Sequence, residues 1–191
     1  MIEPEITQLG LRIGEVFKTL EAIPLGKEKV HALKFQNTVN ELLKILFDDH
    51  LEFIGSRSVH NETHITDGVF EIKQDAKFVW KEVKELFRTF VVIVECKNYR
   101  NKIHETEILL TEKYLNPTAF HSFCILVARN GWTDKARATA LSALRSSGKM
   151  ILLLDMSDLR EMKNRAVNPL LNNTNDPNKY IREKLPNHFW T

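Results

Sequence analysis

The chain has 191 residues, 27 of them Lys or Arg and 25 Asp or Glu, with 43% hydrophobic residues and a mean hydropathy of −0.27. That balance excludes a disordered or collagen-like chain and makes one domain the default, with a core large enough to need no disulfide or metal staple. Cys96 and Cys124 lie in apolar stretches without CxxC spacing, which argues against a disulfide framework or zinc knuckle and for a reducing, cytoplasmic setting. Apolar runs such as Phe90–Val94, Phe123–Ala128 and Met150–Leu154 fall far short of the ~20 residues of a membrane span. Glu3, Pro4 and Glu5 stand where a signal peptide would be basic, so neither export nor membrane insertion is expected. Charge is sorted along the chain: residues 1–96 carry a net −4 and residues 97–165 a net +5. A negative half joined to a positive half permits a basic face beside an acidic pocket.

Ile6, Leu9, Ile13, Val16, Phe17 and Leu20 recur at helical spacing until Pro24 and Gly26 break the segment, predicting an N-terminal helix. A second helix runs from about His31 to Phe47, with Phe35, Val39, Leu42 and Leu46 on one face suited to packing on a sheet. Short β-like patterns at Leu51–Ile54 and Ile65–Ile72 predict two adjacent strands or a hairpin. His60 and His64, in the polar connection between them, are read as surface histidines, since no third ligand stands near them. Residues 77–89 read as a short amphipathic helix. The continuous apolar run Phe90–Val94 predicts a strand covered on both faces and extending through Lys97. Then come a helix at about 105–115, a strand near Phe123–Ala128, a helix from Asp134 to Ser147 capped by Thr133 and stopped by Gly148, and a strand at Met150–Leu154. Strand-helix-strand order calls for parallel pairing. Ser157 is a candidate cap for one more short helix, and Asn172–Asn178 reads as a loop or linker. The fold class expected is α/β, a three-layer α/β/α sandwich with a mixed central sheet. The expected organisation is an N-terminal helical extension over 1–26, a domain over 27–165 and a C-terminal tail or linker over 166–191.

The chemistry concentrates where the central strand leaves the core. Residues i and i+2 of a strand share a face, so Glu95 and Lys97 project together while Cys96 points the other way. Open α/β sheets place their sites at such strand ends. Asp67 supplies a second carboxylate if its strand neighbours that of Glu95. Two carboxylates suit Mg²⁺, which prefers oxygen ligands, keeps several waters and shares its shell with substrate phosphate. Lys97 then has two roles open to it: holding or deprotonating an attacking water, or neutralising charge that develops on a phosphate.

Asp67 together with Glu95-Cys96-Lys97-Asn98-Tyr99 resembles the PD-(D/E)xK nuclease superfamily, in particular its Mrr-like, restriction-endonuclease-like branch, over roughly residues 30–160. The resemblance implies metal ligands at Asp67 and Glu95, a catalytic role for Lys97, and hydrolysis of a double-stranded DNA phosphodiester with Mg²⁺, or Mn²⁺ as its substitute. By the resemblance alone, the setting is restriction or anti-phage defence. Two departures stand out. Where the family often carries an acidic residue on the first core helix, this chain has Phe35-Gln36, leaving Gln36 itself and Glu41 as candidates. The 28-residue spacing from Asp67 to Glu95 is long, and the helix at 77–89 accounts for it. Arg100, Lys102, Arg129, Lys135 and Arg137 are the candidate DNA contacts, since each neutralised phosphate releases counterions. Arg129, at a strand exit, is the foremost of them. A homodimer is expected if both strands are cut. The absence of a GxxxxGK[ST] run suggests that any sensor or ATPase module belongs to a larger protein or a partner. The rival reading is a restriction-endonuclease-like domain that binds DNA or assembles with its catalytic site idle.

Overall fold

The structure, a computed structural model, describes residues 3–56, 66–167 and 176–186, with side chains from residue 8 onward. Its elements in chain order are α1 (Glu3–Ala22), α2 (Lys29–Phe47), β1 (Leu51–Gly55), β2 (Gly68–Ile72), α3 (Phe78–Leu86), β3 (Val91–Lys97), α4 (Glu105–Glu112), β4 (Phe123–Ala128), α5 (Asp134–Ser147), β5 (Met150–Leu154), α6 (Met156–Val167) and α7 (Pro177–Lys184). The five strands form one sheet in the order β1-β2-β3-β4-β5. The first three are mutually antiparallel and the last three parallel, a mixed sheet.

The sheet separates two apolar layers, making the expected three-layer sandwich. Val92 and Val94 of β3, with Phe123, Ile125 and Val127 of β4, face a core shared with α1, α2, α3, α6 and α7. Ile93, Cys124, Leu126 and Ala128 face the other way, against α4 and α5. Every residue of β4 is buried, which is why its sequence is an unbroken apolar run instead of an alternation. The β4-α5-β5 unit has the borders its sequence announces: Thr133 Oγ1 accepts the Ala136 N–H at 3.2 Å, and Gly148 closes the helix at φ +66°. Among the described residues, no helix is long and apolar enough to cross a membrane.

Three sequence expectations are corrected. The helical extension expected over 1–26 is no appendage, because Ile13, Val16, Phe17, Leu20 and Ile23 are part of the main core. The helix after β5 is capped by Asp155, whose Oδ1 accepts the N–H groups of Ser157 (2.7 Å) and Asp158 (3.2 Å). Ser157 instead donates its hydroxyl to the same carboxylate oxygen. The segment expected as a tail or linker at 166–191, with a docked tail from 179 as one reading of it, contains the helix α7, whose Ile181 reaches the core and whose Asn178 accepts the indole N–H of buried Trp80 at 2.7 Å. The expected linker thus yields at Asp176 to a capped helix, its carboxylate accepting the Asn178 N–H at 2.8 Å. His60, His64 and residues 168–175 lie outside the described residues.

Candidate active site

The register of β2 against β3 brings the two carboxylates together. Gly68 pairs with Val94, both facing α2, so Asp67, one step earlier, lies across from Glu95 on the opposite face. Asp67 Oδ2 accepts the Cys96 N–H at 2.7 Å, anchoring the carboxylate to β3. Glu95 is 5% exposed. Its Oε1 is paired directly with Lys97 Nζ, while Oε2 is buried without a hydrogen-bond partner. Cys96 turns the other way and packs against the main core. The trio expected from the sequence is therefore assembled at the C-terminal end of β3.

Burial dominates the electrostatics. It pushes the Glu95 carboxyl up to about 7; the Lys97 ammonium opposes that rise and the neighbouring Asp67 charge adds to it. Asp67 is raised for the same reason, against the Cys96 N–H and Lys97. Burial draws Lys97 down, but the Glu95 charge and hydrogen bond, with Tyr99 and Asp67, outweigh it and hold the amine above its ordinary value. Lys97 is therefore an ammonium at neutral pH, suited to donating a hydrogen bond or neutralising charge and not to removing a proton.

The loops around this strand end are knitted to it. Asn98, buried, donates its side-chain amide to the Pro24 carbonyl at 2.8 Å and accepts the Gly26 N–H on its main-chain carbonyl at 2.9 Å, fastening the α1-α2 connection to the end of β3. Asn130 donates to the carbonyls of Tyr99 and Arg100, joining the loops that follow β3 and β4. Lys27 Nζ lies 4.3 Å from the centroid of the Tyr99 ring.

The remaining expected residues divide. Gln36 is at the site, half-buried, with its amide N–H on the Asp67 carbonyl oxygen at 2.8 Å. It supports the main chain of a ligand candidate and carries no carboxylate. Glu41 is exposed on α2 and joins no described contact of the trio, as expected for a position off the apolar stripe. Arg129 stands at its strand exit, but its guanidinium donates to the carbonyls of Leu20 (2.5 Å) and Glu21 (2.9 Å) at the end of α1. Its reading as the foremost phosphate contact gives way to that of a helix clamp. Arg100, Lys102, Lys135 and Arg137 are exposed on the loop after β3 and the first turn of α5. Asn40 was not a candidate, yet its side chain also donates to the Asp67 carbonyl, at 2.9 Å. The signal available was its position four residues beyond Gln36, on the same helical face.

Among the described residues, no group of three or more His, Cys, Asp or Glu side chains is placed to hold a metal ion. Two carboxylates with one buried oxygen unpartnered remain a donor set that fits Mg²⁺, whose shell is otherwise filled by water and phosphate. No family model, no curated protein and no solved structure matches the chain.

Proposed function

We propose that the chain is a Mg²⁺-dependent endonuclease that hydrolyses phosphodiester bonds of double-stranded DNA. The observation that carries this reading is the convergence of Asp67, Glu95 and Lys97 at one strand end, with the Glu95 oxygen Oε2 buried and unpartnered. Asp67 and Glu95 would hold the ion. When bound, Mg²⁺ supplies Lewis acidity and neutralises phosphate charge. Asp67 keeps its carboxylate fixed on the Cys96 N–H, so one ligand costs little reorganisation. Lys97, cationic at neutral pH, donates toward the scissile phosphate or an attacking water and offsets the negative charge that grows in the transition state. The exposed cations Arg100, Lys102, Lys135 and Arg137 supply sequence-independent affinity for the phosphate backbone. A role in restriction or anti-phage defence, in the cytoplasm and as a homodimer or beside a sensor or ATPase module, extends the same proposal and rests on the sequence resemblance.

The test is incubation of the purified protein with supercoiled and linear double-stranded DNA in Mg²⁺ or Mn²⁺, with an EDTA control and Lys97→Ala. Nicking by the wild type, lost with EDTA and reduced about a hundredfold or more by the substitution, is expected. DNA binding with no cleavage in either metal would favour the idle-site domain.

A further inference from the structure

The carbonyl oxygen of Asp67 accepts three side-chain donors: Gln36 Nε2 at 2.8 Å, Asn40 Nδ2 at 2.9 Å and Ser56 Oγ at 3.0 Å. A carbonyl oxygen has two lone pairs, so one main-chain acceptor here holds more donors than pairing requires. The three come from two parts of the chain, two from α2 and one from just past β1. Asp67 precedes Gly68, the first residue of β2 in register with β3, so the regular sheet pairing begins after it. These donors fix the Asp67–Gly68 peptide where the ladder has not yet begun.

Asn40 lies among the mostly apolar buried residues of α2, beside Val39 and Leu43, and is 3% exposed. Its Oδ1 is buried with no hydrogen-bond partner, a cost that an apolar side chain at this position would not carry. The space for this amide depends on Gly68: a Cβ there would lie 2.4 Å from Asn40 Oδ1. Asn40 and Gly68 thus form an interlocked pair beneath the peptide that aims Asp67. On the far side of that peptide, the carboxylate is held by the Cys96 N–H.

We infer that Asn40, assisted by Gln36 and Ser56, is a positioning residue that holds the backbone of Asp67 so that its carboxylate is preset to receive a divalent cation. The inference rests on the Mg²⁺ reading above. Asn40 acts only through Asp67, from the opposite face of the sheet, as outer partners of metal ligands do. A purely structural role would show in stability alone, and the interlock with Gly68 separates the two.

Mg²⁺ binding to the full chain, followed by calorimetry, and thermal melting in EDTA are compared for the wild type, Asn40→Ala, Gly68→Ala, Gln36→Ala and the Asn40→Ala/Gly68→Ala pair. Gly68→Ala alone lowers the melting temperature, because its methyl meets the Asn40 amide, and Asn40→Ala in the same chain relieves that loss. The double variant is therefore folded, yet like Asn40→Ala it binds Mg²⁺ about ten- to a hundredfold more weakly than the wild type. Gln36→Ala, on the half-buried flank, weakens binding to a smaller extent. In cleavage assays the loss is recovered at high Mg²⁺ with the KM for DNA unchanged. Mg²⁺ affinity within twofold of wild type in Asn40→Ala, Gln36→Ala and the double variant overturns the role given to Asn40 and leaves the nuclease reading standing. A wild type that binds neither Mg²⁺ nor Mn²⁺ overturns the metal reading, and the positioning role with it.

Discussion

Glu95 carries a charge in a place that resists it. One oxygen leans on Lys97, the other has no partner, and burial lifts the carboxyl from an ordinary 4.5 to about 7. A carboxyl raised on folding favours the folded state fully below its unfolded value and loses that advantage as pH climbs through the folded value. Asp67 is raised in the same direction and adds to the trend, whereas Lys97, raised as a base, stays charged throughout this range. The metal-free protein in EDTA is therefore expected to melt at progressively lower temperature between about pH 5 and pH 8. Mg²⁺ should raise the melting temperature more at pH 8 than at pH 5, because at pH 5 it competes with protons for the same oxygens. Glu95→Gln should flatten both trends. A melting profile in EDTA that stays flat or rises from pH 5 to pH 8 in the wild type would show that burial does not lift these carboxyls above their unfolded values.

The elements around the site are held by side chains that reach between them. Arg129 is half-buried, its guanidinium drawn below its ordinary value by burial and spent on the last carbonyls of α1. A cation at a helix C-terminus satisfies orphan acceptors and meets the negative end of the dipole. Arg129→Ala should cost about 1–3 kcal/mol in denaturant unfolding, with the salt dependence of DNA binding unchanged. A flatter salt dependence with intact stability would return Arg129 to the phosphate contacts. Much of this scale was legible beforehand: the helix and strand order, the doubly covered β3, and the borders of α5 follow from apolar spacing and from Thr133 and Gly148. What escaped reading depends on distant partners. Ile181 is the main buried apolar residue of α7, too sparse for a helical stripe, and the helix docks through Trp80 and through the Tyr180 hydroxyl on Asp158. Arg129 meets carbonyls 109 and 108 residues away. Asn40 looks like a flaw in a mostly apolar face until Gly68 is seen opposite it. Glu95 and Lys97 were legible as a pair because strand alternation is local, Asp67 joined them only through the resemblance and on condition that its strand neighboured theirs, and the polar support beneath it belongs to packing.

The sorting of charge along the chain acquires a spatial meaning in the whole molecule. Parallel strands β3 and β4 end on the same side of the sheet, so the segments that follow them share that side with Glu95 and Lys97. Arg100 and Lys102 follow β3, while Lys135 and Arg137 open α5 after β4, all of them exposed. These four cations stand at the strand end that carries the site, interspersed with Glu105, Glu107 and Asp134 of the same segments, and the chain as a whole is only +2. Cations so placed bind a polyanion by releasing its counterions, and each phosphate contact adds about 0.9 to the slope of log affinity against log salt. If the four cations meet the duplex backbone, the triple variant Lys102→Ala/Lys135→Ala/Arg137→Ala should lower that slope by about 2 to 3. It should weaken all duplex sequences alike, because phosphate contacts carry no sequence information. Mg²⁺ affinity measured without DNA should stay at the wild-type value, since none of the three touches Asp67 or Glu95. Binding titrations from 50 to 300 mM salt, a range of roughly this width being enough to resolve such slopes, test the assignment. An unchanged slope would place the DNA on another face and leave the trio without a duplex-binding surface beside it.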